Sequence, residues 1–268
     1  MNHWLLENEP LFRLGVFGAL LVVMMAWELG RPMLPLREGR GLRWLSNFSL
    51  VVLGTIAVRL VAPIGAVAAA QHAAREEIGL LNMLDLPPSG QIVAAMIALD
   101  LVIYVQHWVF HRIPLLWRLH KVHHADRDYD VSTALRFHPV EILISLAIKL
   151  GAVYALGAPP TAVLLFEVIL NGAAMFNHGN VTLGARLDGI VRLLIVTPDM
   201  HRVHHSVRRD ETNSNYGFNL PWWDRMFGTY KAVSEDGPRD LTIGLPEYQA
   251  KPTRLWRLLT LPFRNDAV

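Results

Sequence analysis

Ten of the twelve histidines in this 268-residue chain fall between His107 and His205, and most sit in three tight clusters: His107-x-x-x-His111, His120-x-x-His123-His124 and His201-x-x-His204-His205. On a helix, spacings of three and four place side chains on one face, so each cluster is able to aim its ring nitrogens at a common point. The eight imidazoles of the clusters exceed what one metal ion accepts, which makes two ions held close together the simplest reading. Neutral imidazole suits iron, zinc, copper and nickel alike. His3 and His72 stand apart from any cluster and are expected to be ordinary structural histidines. A surface tract for adventitious metal binding would be polar and low in complexity; these clusters are instead embedded in Trp, Leu, Val and Phe.

The elements that must position them are apolar. The chain is 52% hydrophobic and only 18% charged, with a mean hydropathy of +0.29, which is too apolar for an ordinary soluble domain. Five stretches approach the length of about 20 apolar residues that crosses a bilayer core: Phe12 to Leu29, Trp44 to Ala70 (interrupted by Arg59), Ile92 to Val105, Val140 to Leu156 and Thr161 to Phe176. The last two are joined by Gly157-Ala158-Pro159-Pro160, a tight hairpin because proline cannot continue a helix and glycine frees the turn. The first is not expected to be a cleaved signal peptide, since Glu7 and Glu9 precede it where basic residues would stand. The loop from Arg31 to Arg43 holds Arg31, Arg37, Arg40 and Arg43 against Glu38, whereas Arg75 is outnumbered by Glu76, Glu77 and Asp85 after the second stretch. The positive-inside rule then puts the first loop, and with it every histidine cluster, on the cytoplasmic side. Lipid headgroups account for the basic residues better than nucleic acid does, since no nucleic-acid motif is present. The chain has no cysteine, which excludes disulfides, iron–sulfur clusters and thiolate zinc sites.

The run from His107-Trp108-Val109-Phe110-His111 through Leu116-Trp117-Arg118-Leu119-His120-Lys121-Val122-His123-His124, Arg136-Phe137-His138-Pro139-Val140-Glu141, Phe176-Asn177-His178-Gly179-Asn180, Pro198-Asp199-Met200-His201-Arg202-Val203-His204-His205 and Asn215-Tyr216-Gly217 to Trp223-Asp224-Arg225-Met226-Phe227-Gly228-Thr229-Tyr230 resembles the fatty acid hydroxylase/sterol desaturase superfamily. It spans roughly Asp100 to Tyr230, and its most specific parts are the histidine boxes. The resemblance implies an integral membrane, non-haem di-iron oxidoreductase that uses dioxygen and two electrons to hydroxylate or desaturate a lipid such as a fatty acyl, sterol or isoprenoid chain. It implies two iron ions, with zinc a substitute in purified protein, held by His107, His111, His120, His123, His124, His178, His201, His204 and His205. Some members place a further histidine four residues before the His178 position, where this chain has Ala174. His138 is either a tenth ligand or a helix-start residue bonded to Glu141 or the backbone.

Asp100, seven residues before His107, is placed to accept the second N–H of a ligating imidazole. Thr197-Pro198-Asp199 reads as the start of the helix carrying His201. Arg59 and Lys149 are expected to snorkel towards headgroups. The fold expected is all-α: one domain over residues 1–268, with about four or five hydrophobic helices, a cytoplasmic helical cap holding a dinuclear site, a catalytic region at 100–230 and a tail at 231–268. Arg254 to Leu261 is expected to form a short amphipathic helix on the membrane or on the cap. The membrane would be the inner membrane of a bacterium or the endoplasmic reticulum of a eukaryote. Electrons must come from an external ferredoxin or cytochrome with its reductase, for which Arg208 and Arg209 are the first docking candidates. Three other classes fit less well, among them a non-catalytic lipid-binding protein, against which the intact histidine boxes argue. A metalloprotease needs His-Glu-x-x-His, and a histidine-rich metal-binding or transport protein without oxygenase activity would place ligands along a path at the membrane midplane.

Overall fold

Proline opens most of the helices that matter, because its fixed φ and missing N–H cost nothing at a first helical position. The computed structural model describes residues 2–62, 64–249 and 254–264, with the side chain of His3 outside the described part. The helices run α1 (Asn2–Glu7), α2 (Glu9–Gly30), α3 (Arg40–Val61), α4 (Ala66–Arg75), α5 (Pro88–Arg112), α6 (Pro114–His124), α7 (Pro139–Leu156), α8 (Pro160–Asn177), α9 (Ala185–Val191) and α10 (Pro198–His204). Short helices α11 (Arg209–Thr212), α12 (Trp222–Met226), α13 (Gly237–Asp240) and α14 (Leu255–Thr260) complete the order. Among the described residues the only β-pairing is a single bridge between Ser206 and Ile243, so the chain is all-helical.

Five segments are long and apolar enough to cross a membrane, built on α2, α3, α5, α7 and α8. Only 6% of the apolar stretch of α2 and 39% of that of α8 is buried inside the protein, so most of their Leu, Val and Ile faces outward. Bare apolar faces of that extent fit a bilayer, not water. The chain is an integral membrane helical bundle.

The bundle is assembled as a wrapped hairpin. α7 ends at Gly157, whose φ of +64° lets the chain turn back into α8, as the Gly-Ala-Pro-Pro junction predicts. α3 packs on α7, α2 on α8, α5 against both, and α4 against both at the turn. Gly79, at φ +106°, closes that end: a Cβ there would stand 2.1 Å from the Gly157 backbone nitrogen. The expected second segment, Trp44 to Ala70, is in fact two helices. α3 stops at Val61 and α4 starts at Ala66, and the intervening Pro63 lacks the amide hydrogen that a continuous helix needs. The small residues of α4, Ala66, Ala69, Ala70 and Ala73, are buried and let it lie close on the hairpin.

At the opposite end of the bundle α6, α9 and α10 form the cap. α14 forms where the amphipathic pattern of Arg254 to Leu261 places it and packs on the protein through Leu258, beside Leu50, Val122 and Tyr248.

Candidate metal centre

Four elements deliver the histidines to one point. The last turns of α5 carry His107 and His111; α6 carries His120, His123 and His124; His178 caps the end of α8; and α10 with its C-cap carries His201, His204 and His205. All nine converge, in two sets: His107, His111, His120, His124 and His204 form one, and His123, His178, His201 and His205 the other, the ligand atoms of each set lying within 4.8 Å of one another. The sets do not coincide with the sequence clusters. Neighbours on a helix point about 100° apart, so His123 and His124 turn to different sets, and His204 and His205 do the same. Each adjacent pair therefore spans the two sets, with ring centroids 5.3 and 5.4 Å apart.

Several rings are fixed from behind through one nitrogen, leaving the other aimed inward. His107 Nδ1 lies 2.8 Å from the Tyr216 carbonyl, His204 Nδ1 2.6 Å from the Ser214 carbonyl and His178 Nδ1 2.7 Å from the Ala174 carbonyl. His120 Nδ1 lies 2.6 Å from Glu141 Oε1. Donation of the Nδ1–H to these acceptors fixes the tautomer and turns the Nε2 lone pair inward. At Ala174 the chain contributes a backbone carbonyl that holds His178.

Many of the other ring nitrogens have no partner. Both ring nitrogens of His111 and His205, Nε2 of His124 and His204, and Nδ1 of His123 and His201 are buried without a hydrogen bond. Native interiors seldom leave such groups unsatisfied. Elsewhere Nε2 meets Nε2: His107 and His120 at 3.1 Å, His123 and His178 at 3.1 Å, His178 and His201 at 3.2 Å. Nitrogens that share an ion at about 2.0–2.1 Å stand at about this separation. Burial pushes the pKa of His123, His124, His201, His204 and His205 well below 6.5, and repulsion from neighbouring rings adds to it. His120 falls to about 3 and His178 to about 4 for the same first reason. The rings are neutral at physiological pH and carry the free lone pairs that metal binding requires. The donor set fits metal ions.

A cavity of about 400 Å³ opens from His107 and His120 into the bundle, between α2, α3, α5, α7 and α8. Phe17, Leu50 and Ile103 line it, and Phe110, Phe137 and Phe218 line it against the histidine rings.

Other expected residues lie elsewhere. His138 is the N-cap of α7: its Nδ1 accepts from the Val140 amide at 3.2 Å, its Nε2 faces the Leu259 carbonyl at 3.3 Å, and it belongs to neither set. The helix-start reading holds, with backbone partners in place of Glu141, which is committed to His120. Asp100 touches no histidine. Its oxygens accept from Trp223 Nε1 and Asn219 Nδ2, both at 2.8 Å, and from the Leu220 amide, so it anchors the segment that supplies the Tyr216 carbonyl. Thr197 caps α10 and accepts from Met200, as expected, while Asp199 takes Thr182 and Arg202. Lys149 does not snorkel but pairs with Glu167 at 2.7 Å.

Sequence reasoning assigned the arginines of this end to headgroups, and several are internal. Arg43 is fully buried and bonds Asp126 at 2.8 Å and Asp130 at 2.6 Å; Arg136 donates to the Val122 carbonyl at 2.8 Å. Arg202 pairs with Asp199, Arg192 with Asp188, Arg127 with Glu38, and Arg208 with Glu235 and Asp236. A signal was present: Asp126, Asp128 and Asp130 follow the second box directly and need cations. Glu141 was also missed as a partner of His120, having been matched to the nearer His138.

A family model described as fatty acid hydroxylase matches residues 92–229. An ornithine lipid hydroxylase of Rhizobium tropici is 31% identical over 157 residues, 59% of this chain and 46% of that protein. Alkylglycerol monooxygenase of Homo sapiens is 32% identical over 142 residues, covering 53% of this chain and 31% of that protein. Cholesterol 25-hydroxylase of Homo sapiens is 26% identical over 145 residues, 53% of this chain and 52% of that protein. The chain thus spans about half or less of the length of these relatives. No solved structure matches.

Proposed function

The chain belongs to the fatty acid hydroxylase family, and on that premise we propose that it hydroxylates a lipid with dioxygen and two external electrons, its nine histidines holding two iron ions. The observation that carries this reading is the meeting of two sets of orphaned ring nitrogens at one end of an apolar cavity, inside helices of membrane length. Two iron ions bound there would supply the dioxygen activation that no side chain of this protein provides.

The chain's own residues do the rest. Glu141 and the carbonyls of Tyr216, Ser214 and Ala174 hold four rings in one tautomer. Phe110, Phe137 and Phe218 keep water from the reacting end and pack the lipid chain against it. Zinc replaces iron in overexpressed protein, since it outranks ferrous iron at nitrogen sites. Without cysteine, the chain has no cluster to relay electrons, so a ferredoxin or cytochrome with its reductase docks on the cap, which faces the cytoplasm. Arg208 is occupied by Glu235 and Asp236, which leaves exposed Arg209 as the better docking residue.

The test is to reconstitute the iron-loaded protein in lipid with an electron-transfer chain and isotopically labelled dioxygen. Two metal ions per chain and one labelled oxygen atom in the lipid product are expected. A stoichiometry of one, or a product without label, overturns the reading.

A further inference from the structure

We propose that Arg59 binds an anionic group of the lipid, carboxylate or phosphate, so that the substrate is an acidic lipid oxidised at a carbon remote from its acidic end. The word substrate rests on the oxygenase reading above; the binding site does not.

The geometry follows from two helices that run away from the histidines side by side. Arg43, near the start of α3, bonds Asp126 beside the second histidine box, and Glu141, near the start of α7, bonds His120. The two helices touch where a Cβ on Gly54 would meet Ile142 at 3.5 Å. Beyond that level Arg59 lies five residues further along α3 and Lys149 seven further along α7, roughly 7 and 10 Å at about 1.5 Å per residue. Both line the cavity whose other end is His107 and His120. A chain in this cavity therefore has the histidines that would hold the metal at one end and cations at the other.

The charges on the wall are not equivalent. Its formally charged side chains are Arg59, Glu141 and Lys149. Glu141 is held by His120, and Lys149 by Glu167, whose second oxygen takes Arg13 at 2.9 Å. Between the two ends Gln106 Nε2 donates to Ser145 Oγ at 2.9 Å, and the group it leaves open, Gln106 Oε1, is an acceptor that repels an anion. Arg59 alone among these has no hydrogen-bond or ion-pair partner among the described residues. Arg59 is exposed in the last turn of α3, at the rim of the cavity, where its guanidinium is open to an incoming anion. Its planar fork of donors matches the oxygens of a carboxylate or a phosphate. Bulk headgroups are the competing source of those oxygens, and the two are separable because a bulk headgroup is not tied to a chain inside the cavity.

The protein in nanodiscs of phosphatidylcholine, which offers headgroup phosphate in excess, is titrated with radiolabelled palmitic acid, its methyl ester and palmitoyl lysophosphatidate. The acidic probes should bind about tenfold more tightly than the ester, as a charge-assisted hydrogen bond warrants. Arg59→Gln should level the three, with ester binding and metal content unchanged, and Arg59→Lys should keep most of the preference. The stronger of the two acidic probes identifies the group. Equal binding of acid and ester by the natural protein, or a preference that survives Arg59→Gln, overturns the subsite and leaves the oxygenase reading standing. Failure of all three probes to bind overturns both the subsite and the use of the cavity for lipid, whereas loss of turnover with the acid preference intact overturns the oxygenase reading alone.

Discussion

Two buried polar clusters lie next to each other in the cap, and they are built on opposite rules. Around Arg43 every group is matched: Asp126 takes Arg43 and Thr133, while Asp130 takes Arg43, Trp44 and Ser132 and caps its own turn. In the histidine centre four rings, His107, His120, His178 and His204, are matched at Nδ1, while many of the remaining ring nitrogens are buried without a partner. Burial is similar in both, so burial alone does not separate structure from function. What separates them is whether the unsatisfied lone pairs converge. A cluster that holds a fold closes its hydrogen bonds internally, because an open one costs about 1–3 kcal/mol. A cluster that awaits an ion keeps convergent donors open.

The sharpest way to break this contrast is to remove one ligand from each set. His124→Ala and His205→Ala should each lower turnover by more than about 100-fold, beyond the effect typical of an outer-shell partner, while the protein still inserts and extracts normally. Near-normal turnover by either variant would refute the assignment of these histidines as ligands. Glu141→Gln should cost less, about 10–100-fold in metal affinity or activity, because it loosens His120 without deleting a donor. Metal retention during dialysis against a chelator measures this directly.

The Arg43 cluster, a brace that ties α3 to Asp126 and Asp130, answers to a different measurement. Asp130→Ala should lower stability by roughly 3–5 kcal/mol, since it leaves part of the buried Arg43 charge uncompensated, while the folded fraction keeps both ions. Burial pushes the Asp130 carboxyl up, but the Arg43 charge and the hydrogen bonds from Arg43, Trp44 and Ser132 outweigh it and hold the group below its ordinary value of 3.8. A depressed carboxylate contributes stability above the unfolded pKa and loses it as pH falls through the folded value. The advantage of the natural protein over Asp130→Ala should therefore be flat from neutral pH down to about 4 and shrink below that. Thermal midpoints across this range check it, and an advantage already fading at pH 6 would contradict the pairing.

The histidine centre was far more legible in the sequence than the brace, for a physical reason. Ligand spacing on a helix is written in side-chain identity, so His107 through His205 could be read directly. The groups that hold those rings from behind are mostly carbonyls, of Tyr216, Ser214 and Ala174, and a carbonyl has no residue signature. The brace joins Arg43 to aspartates more than 80 positions away. With no local spacing to reveal it, Arg43 looked like one more headgroup cation. The helices were legible through proline and hydropathy, except between Val61 and Ala66, where a continuous apolar count ran across the boundary of α3 and α4.

The smallest effect belongs to the one histidine of the region that sits between the two clusters in character. His138 shares the cap with the nine converging histidines and lies three residues before Glu141, yet its ring closes its bonds on the Val140 amide and the Leu259 carbonyl, as the brace does. By the rule of convergence it is structural. His138→Ala should therefore cost about 1 kcal/mol, the usual worth of an N-cap, with both ions retained and turnover within about twofold of the natural protein, inside the range of a surface substitution. His138→Asn, which also accepts from the N2 amide, should recover most of that stability. The contrast fails at this point if His138→Ala loses an ion, because a ring whose hydrogen bonds are already closed would then be acting as a ligand.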